Sequence, residues 1–173
     1  GVPLSRIRII DATNRLLRAP ETVFSASEFG HRAFGWNFAN ARLGESFSRV
    51  GSGRENLDLH AATLKSAKRV EGVWHLELGD GGTLTTDLLV GADGKGSSVR
   101  KAAGITVRER KFYQGALVCD LELGRGLDGE SVEFHYPNGP FTLVPAGGNR
   151  ATLVWIDKLE TLLERLQEVL PAA

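Results

Sequence analysis

The chain has no methionine and a single cysteine, Cys119. One thiol excludes an internal disulfide and fits a reducing compartment. Neither sign of charge is in excess: Lys plus Arg total 21, Asp plus Glu total 21, and the formal net charge is +0. That balance argues against a broad basic surface, so no nucleic acid is expected as a partner. No apolar run approaches the ~20 residues of a membrane-crossing helix. No secretory leader opens the sequence. The histidines are few (His31, His60, His75 and His135) and lack metal-ligand spacing, so no metal is expected. His60 and His75 fall on predicted strands and read as surface or hydrogen-bonded residues. There is no nucleophile-elbow motif, no internal repeat and no low-complexity tract. With Gly1 at its head and no methionine, the sequence is expected to be a piece of a longer protein, cytoplasmic in setting.

What is present is a chain of 173 residues, 42% hydrophobic, enough for a proper core. Its residues order themselves around Asp87–Arg100, DLLVGADGKGSSVR. Leu88, Leu89 and Val90 form the short apolar run of a buried strand. Gly91, Gly94 and Gly96 break it. Ser97 then stands where a helix N-cap belongs, and Gly104 where its C′ glycine belongs. Asp93 lies on the turn, where a carboxylate can accept hydrogen bonds from ribose hydroxyls and glycine permits close approach to the backbone. Two other glycine patterns fail as nucleotide motifs. GADGKGS lacks Ser or Thr after its Gly-Lys, and GSGREN at Gly51 follows a helix and lacks the third glycine.

Before this stretch, RIRII (6–10) and ETVFSA (21–26) predict a β-hairpin, with Asp11, Thr13 and Asn14 supplying turn chemistry. Residues 33–38 predict a further strand. Asn40 to Val50 predicts a helix capped by Asn40, with Leu43, Phe47 and Val50 on one face and Gly51 ending it. Leu57–Leu64, Val73–Leu78 and Thr83–Val90 predict a meander, turned at residues 79–82. After Gly104, strands are predicted over 113–123, 132–136, 141–144 and 151–155, joined by tight turns into an antiparallel sheet. Cys119, mid-strand, reads as packing. Lys158 to Leu170 predicts an amphipathic helix. Its apolar face carries Leu159, Leu162, Leu163, Leu166, Val169 and Leu170, and Pro171 stops it.

The turn resembles the second fingerprint of the flavoprotein aromatic hydroxylases, D-G-x-x-S-x-V-R. The matching residues are Asp93, Gly94, Ser97, Val99 and Arg100, preceded by LLVGA. GVPLSRIRIIDATNRLLRAPE with AFGWNFAN, and GPFTLVPAGGNRATLVW with Tyr113 and Gln114, are similar to the ubiquinone-biosynthesis hydroxylase branch of that family. The resemblance implies an α+β fold. Residues 37–111 would form the middle of an FAD-binding domain, and residues 1–36 and 112–173 a substrate-domain sheet with a C-terminal helix. It implies an FAD-dependent monooxygenase that hydroxylates a phenolic ring with NAD(P)H and dioxygen. The cofactor would do the difficult chemistry while the protein positions the ring and excludes water. No catalytic side chain is therefore expected.

By the resemblance, Asp93, Gly94 and Arg100 would contact the cofactor, and the backbone at Leu64 its adenine end. Arg100 would pair either with a carboxylate or with the dinucleotide. Asn40 occupies the position of a family arginine that contacts FAD, and asparagine cannot supply that charged, bidentate contact. Pro140 and Phe141 would wall the ring site. The implied substrate is a phenol or polyprenyl-phenol, which places the parent at the periphery of an inner membrane. Two family motifs are missing: the G-x-G-x-x-G fingerprint that follows an N-terminal strand, whose helix N-terminus binds the pyrophosphate, and a later Gly-Asp-Ala. The chain by itself is thus expected to bind flavin poorly and not to turn over. Exposed apolar surface and a homodimer are further expectations. Two other readings remain: a non-catalytic β-rich module for an apolar ligand, and another flavoprotein such as a reductase or halogenase.

Overall fold

The computed structural model describes residues 1–169. Leu170 and Pro171, the predicted helix end and stop, lie outside the described residues, as does the Val169 side chain. In chain order the elements are β1 (Val2–Leu4), β2 (Arg6–Asp11), β3 (Thr22–Ser25), a 3-10 turn (Ala26–Phe29), β4 (Gly35–Asn37), α1 (Asn40–Ser52), β5 (Leu64–Val70), β6 (Val73–Leu78), β7 (Thr83–Thr86), α2 (Ser98–Ala102), β8 (Gln114–Glu122), β9 (Glu130–Tyr136), β10 (Gly139–Gly147), β11 (Arg150–Lys158) and α3 (Leu159–Val169). The fold is α+β and rich in strand. It divides into two compact units: Gly1–Arg49 together with the chain from Lys111 on, and Val50–Arg110.

The first unit is built on a six-stranded sheet in the order β3-β2-β9-β10-β11-β8. Every neighbouring pair is antiparallel except β2 and β9, which run parallel with Arg6 opposite Glu130 and Arg8 opposite Val132. The predicted hairpin at residues 6–26 forms as β2 and β3. The four predicted C-terminal strands form too: β8 is one residue shorter at each end than predicted, and β9, β10 and β11 are longer, because cross-strand pairing extends past the hydrophobic residues to the turns. In β8 the residues alternate between exposed and half-buried along the strand. Leu117, Cys119 and Leu121 lie opposite Trp155, Leu153 and Ala151 of β11. Ala151 and Leu153 are buried. Phe141 is flanked by Phe134 and Trp155, with ring centroids 6.0 and 5.8 Å away in edge-on geometry. Such pairs contribute beyond their buried area.

α3 lies against β8 and β11 and buries Leu162. Gly115 makes the close approach possible: a Cβ there would stand 3.1 Å from a methyl of Leu159 and 3.1 Å from one of Leu162. α1 begins at Asn40, and Leu43 N–H donates to the Ala39 carbonyl. Asn40 is therefore the first helical residue and not the cap, a one-residue correction to the sequence reading. The helix also passes Gly51 and ends at Ser52. Phe47 and Val50, on its apolar face, are exposed.

The second unit holds the three-stranded meander β5-β6-β7 with α2 against β5. Here two predicted strands shorten. β5 starts at Leu64 and not at Leu57, because β6 offers no partner beyond Leu78, the residue opposite Leu64. β7 stops at Thr86. The Thr86 hydroxyl donates to the Leu88 carbonyl at 3.0 Å and accepts the Leu88 N–H at 3.4 Å, which satisfies that backbone locally. The expected buried strand at Leu88–Val90 is irregular, and Leu88 and Val90 are 75% and 74% exposed. A doubly buried strand needs ladder partners on its flanks, and none pairs with this run among the described residues.

Candidate functional site

The Asp93 turn is organised by hydrogen bonds within six residues. One Asp93 carboxylate oxygen accepts the Ser97 hydroxyl; the other accepts the N–H of Ser98 at 2.6 Å and of Val99 at 3.3 Å. Ser97 caps α2, its oxygen accepting the Arg100 N–H at 3.0 Å. Gly104 closes the helix with φ +65°. The Ser97 hydroxyl, with the Val99 and Ser98 amides behind it, holds the Asp93 carboxyl below the usual carboxylate range. The carboxylate is exposed yet already committed to the chain's own donors. The oxygen that accepts Ser97 keeps lone-pair capacity for one further donor, while the other already accepts two.

Gly94 has φ +80°, and a Cβ there would meet nothing within 4 Å. Only glycine adopts that backbone at little cost, and the open space leaves the peptide approachable. The Arg100 guanidinium donates to the Lys95 carbonyl at 2.8 Å. Its partner in the chain is thus a backbone oxygen and not the carboxylate that was one of the two expectations. The remaining N–H groups of its fork donate to no other acceptor among the described residues. Leu64 lies in the same unit, opening β5 opposite Leu78.

These residues suit one edge of an FAD molecule: a carboxylate with one lone pair to spare, an unobstructed glycine peptide and a guanidinium. They do not supply a pyrophosphate cradle: the G-x-G-x-x-G pattern at residues 124–129 joins β8 to β9 and opens no helix.

The other predicted site residues belong to the first unit. Asn40 is exposed at the start of α1. Pro140 and Phe141 open β10, and Phe141 is held in the aromatic row with Phe134 and Trp155. At the opposite end of β10 is a cavity of about 290 Å³ that the sequence reading missed. Asn37, Arg42, Asp120, Ala146, Arg150 and Thr152 are among its lining residues. Asn37 donates to the Pro145 carbonyl at 3.0 Å, which aims its side chain along the β10 edge. Thr152 donates to Asp120 at 2.8 Å across the β8–β11 pair. Arg42 and Arg150 enter no salt bridge among the described residues. Two guanidiniums beside a carboxylate-backed hydroxyl make a polar mouth suited to an oxygenated small molecule. The signal was there in the polar residues Asp120 and Thr152 inside otherwise apolar strands. It becomes readable only once β8 and β11 are paired.

Among the described residues no group of His, Cys, Asp or Glu is arranged to hold a metal, and no helix is long and apolar enough to cross a membrane.

Comparison with known proteins finds relatives by sequence and by fold. The chain is 34% identical over 164 residues to ubiquinone hydroxylase UbiL of Rhodospirillum rubrum, covering 90% of this chain and 35% of that protein. It is 43% identical over 82 residues to the mitochondrial ubiquinone biosynthesis monooxygenase COQ6 of Mus musculus, covering 47% of this chain and 17% of that one. The chain therefore spans about a third or less of the length of these relatives. Among solved structures, HpxO of Klebsiella pneumoniae complexed with FAD and uric acid superposes with a TM-score of 0.68 at 20% identity, over 97% of this chain and 45% of that one. At that identity the likeness is one of fold. No protein-family model matches the chain.

Proposed function

We propose that this chain, a relative of the FAD-dependent ubiquinone-biosynthesis hydroxylases, forms part of a monooxygenase that hydroxylates a phenolic ring with dioxygen and a reduced nicotinamide. The observation that carries the reading is the 34% identity extending over 90% of the chain. Asp93, Gly94 and Arg100 are the residues we assign to the cofactor, with the Leu64 backbone and Asn40 as further contacts. FAD, when bound, supplies the oxygen chemistry. The chain's own part is to bind, orient and shield. In this reading residues 37–111 complete the cofactor region, and residues 1–36 and 112–173 form the substrate sheet. The ring is held near that sheet, with Pro140 and Phe141 at one end of β10 and the Arg42–Arg150 cavity at the other. The substrate class is a phenol with a polyprenyl tail, handled beside the membrane that contains it.

The chain alone binds flavin poorly in this reading, because the pyrophosphate cradle is not among its residues. Titration of the purified chain with FAD, followed by flavin fluorescence, tests this. Weak, non-saturating binding is expected. In a longer protein containing this chain, tight binding weakened by Asp93→Ala is expected. Tight, saturable binding by the chain alone would overturn the account of the cradle. Loss of no affinity on Asp93→Ala in the longer protein would overturn the assignment of the turn.

A further inference from the structure

The six-stranded sheet has two edges, and they differ in kind. β3 is 4 residues long and follows Pro20, so it offers little backbone to a partner. β8 is 9 residues long and pairs with β11 alone, from Gln114 opposite Lys158 to Glu122 opposite Arg150, without a bulge. Among the described residues no strand pairs with its other side. The bonds at its two ends fix which groups point outward. Leu123 N–H donates to the Asn149 carbonyl at 2.7 Å, and Leu159 N–H donates to the Tyr113 carbonyl at 3.5 Å. Bonded pairs alternate along an antiparallel ladder, so the odd-numbered residues from Tyr113 to Leu123 turn their backbone groups to β11. The N–H and C=O of Gln114, Ala116, Val118, Asp120 and Glu122 therefore point away from the sheet.

Edges of this length are normally guarded by lysine, proline or a bulge. β8, with the sequence QGALVCDLE, has none of these, and its acids stand together toward its C-terminal end. Asp120 is turned back to its own sheet, where it accepts the Thr152 hydroxyl at 2.8 Å. At the middle of the strand Val118 is 60% exposed. The strand is complementary to itself. With a twofold axis at Val118, the outward groups of Val118 meet those of Val118 in a second copy, Ala116 meets Asp120, and Gln114 meets Glu122. Every outward N–H and C=O then has a partner, and no acid faces an acid. An axis at Asp120 would set Asp120 against Asp120 and leave Gln114 and Ala116 beyond the partner strand. A parallel pairing in register would set both acids against their own kind.

We infer that two copies of this chain pair antiparallel along β8, with Val118 on the twofold axis, and join their six-stranded sheets into one. A twofold contact of this kind closes on itself, so it gives a dimer and not a fibre. The apolar surface beside the edge fits the same contact. Leu159 and Leu163 of α3, the helix that lies on β8, are 54% and 50% exposed. Gly115, against which Leu159 packs, faces Leu121 of the second copy in this register, which brings that leucine beside α3. The pairing goes beyond the flavin reading and does not depend on it, since it needs no cofactor.

Sedimentation velocity of the full chain in flavin-free buffer, over a range of concentrations, tests the association, and cross-linking tests the register. A dimer is expected. Val118→Lys puts like charges at the axis and weakens association at least about tenfold. Val70→Lys, the same change at a strand valine of the other unit that is 52% exposed, leaves association unchanged. In a Cys119→Ser background, Val118→Cys gives a disulfide-linked dimer on mild oxidation, because facing Cα atoms of a bonded pair stand about 5.5 Å apart, within disulfide reach. Ala116→Cys in that background does not, because the residue facing it is Asp120. Val118 and Ala116 are exposed, so the fold tolerates the changes; near-UV circular dichroism verifies it. A monomer at every concentration overturns the inference. So does a dimer that survives Val118→Lys, or one that cross-links through Ala116→Cys and not through Val118→Cys. If the chain cross-links through Val118→Cys and a longer protein containing it does not, a strand of that protein occupies the edge and the inference also fails.

Discussion

The Asp93 carboxylate accepts the Ser97 hydroxyl, and the same Ser97 oxygen accepts the Arg100 N–H at 3.0 Å. One buried serine therefore serves both as helix cap and as the group that fixes the turn's carboxylate. Ser97→Ala removes both roles. A lost N-cap costs about 1 kcal/mol, whereas Ser97→Gly at the same place costs only a few tenths of that. Urea unfolding followed by circular dichroism measures the difference, and equal midpoints for the two variants would contradict the capping role. Asp93→Asn keeps an acceptor but loses the charge, and α2 loosens relative to the parent chain in hydrogen exchange.

The loop that presents Leu16 and Leu17 depends on Asp11. The Thr13 side chain beside it, then the amides of Ala19 and Thr13, bring the Asp11 carboxyl down to about 2. The Thr13 hydroxyl itself has no aligned hydrogen-bond partner, so the two amides are the contacts that the geometry supports. A folded value below the unfolded one of 3.8 means that the stabilisation is full above about pH 4. It is lost as pH falls through about 2. The expected observation is that the Thr13 and Ala19 amide shifts titrate together near that value, well below the range of an unperturbed aspartate. Asp11→Asn abolishes this titration. A midpoint near 4 would mean that the base of the loop is open in solution.

Glu130 joins the parallel strands. Its carboxylate meets Arg6 at 3.1 Å and Arg8 at 2.6 Å, with its side chain 12% exposed, while Arg6 and Arg8 are 46% and 34% exposed. Arg8 foremost, with Arg6 adding to it, lowers the Glu130 pKa. Glu130→Ala leaves two arginines that can turn to water, so its cost is that of the lost charge-assisted bonds, about 1–2 kcal/mol, and not that of a stranded buried charge. Because the folded pKa is depressed, the contribution is present above the normal glutamate range and is lost on acidification below it. Equilibrium unfolding at neutral and acid pH should show the wild-type advantage over Glu130→Ala shrinking at low pH. A pH-independent difference would mean that the loss is one of packing.

Local chemistry was legible in the sequence, and long-range pairing was not. Ser97 and Gly104 bracket α2 as predicted because a cap and its helix lie within one turn of each other. Val73–Leu78 is β6 residue for residue, since alternation over a hairpin with a glycine turn leaves one register. The parallel contact of β2 with β9 escaped because the chain between them includes the whole second unit. Nothing in either strand's own pattern names a partner that distant. The same holds for the cavity at Arg42 and Arg150, whose residues come from four separate stretches. Leu88–Val90 reads as a buried strand from its composition, and burial requires neighbours that composition does not supply.

The junction of α3 with β8 gives a test of packing at two adjacent leucines. Leu162 is 3% exposed and Leu163 is 50% exposed, although both belong to the apolar stripe read from the sequence. Leu162→Ala should cost about 2–4 kcal/mol, because the cavity it leaves adds to the lost transfer energy. Leu163→Ala should stay within about 1 kcal/mol. Gly115 determines how closely the helix can lie. A methyl there stands 3.1 Å from Leu159 and Leu162 side-chain carbons, tighter than ordinary contact, so Gly115→Ala alone should destabilise by about 1 kcal/mol through overpacking. The same methyl points toward the space that Leu162→Ala opens. The double variant Gly115→Ala, Leu162→Ala should therefore lose less than the sum of the two single losses, by about 0.5 kcal/mol or more. Urea midpoints of the four proteins measure the coupling. Strict additivity would mean that α3 shifts away from β8 to admit the methyl, and that Gly115 does not set the distance between them.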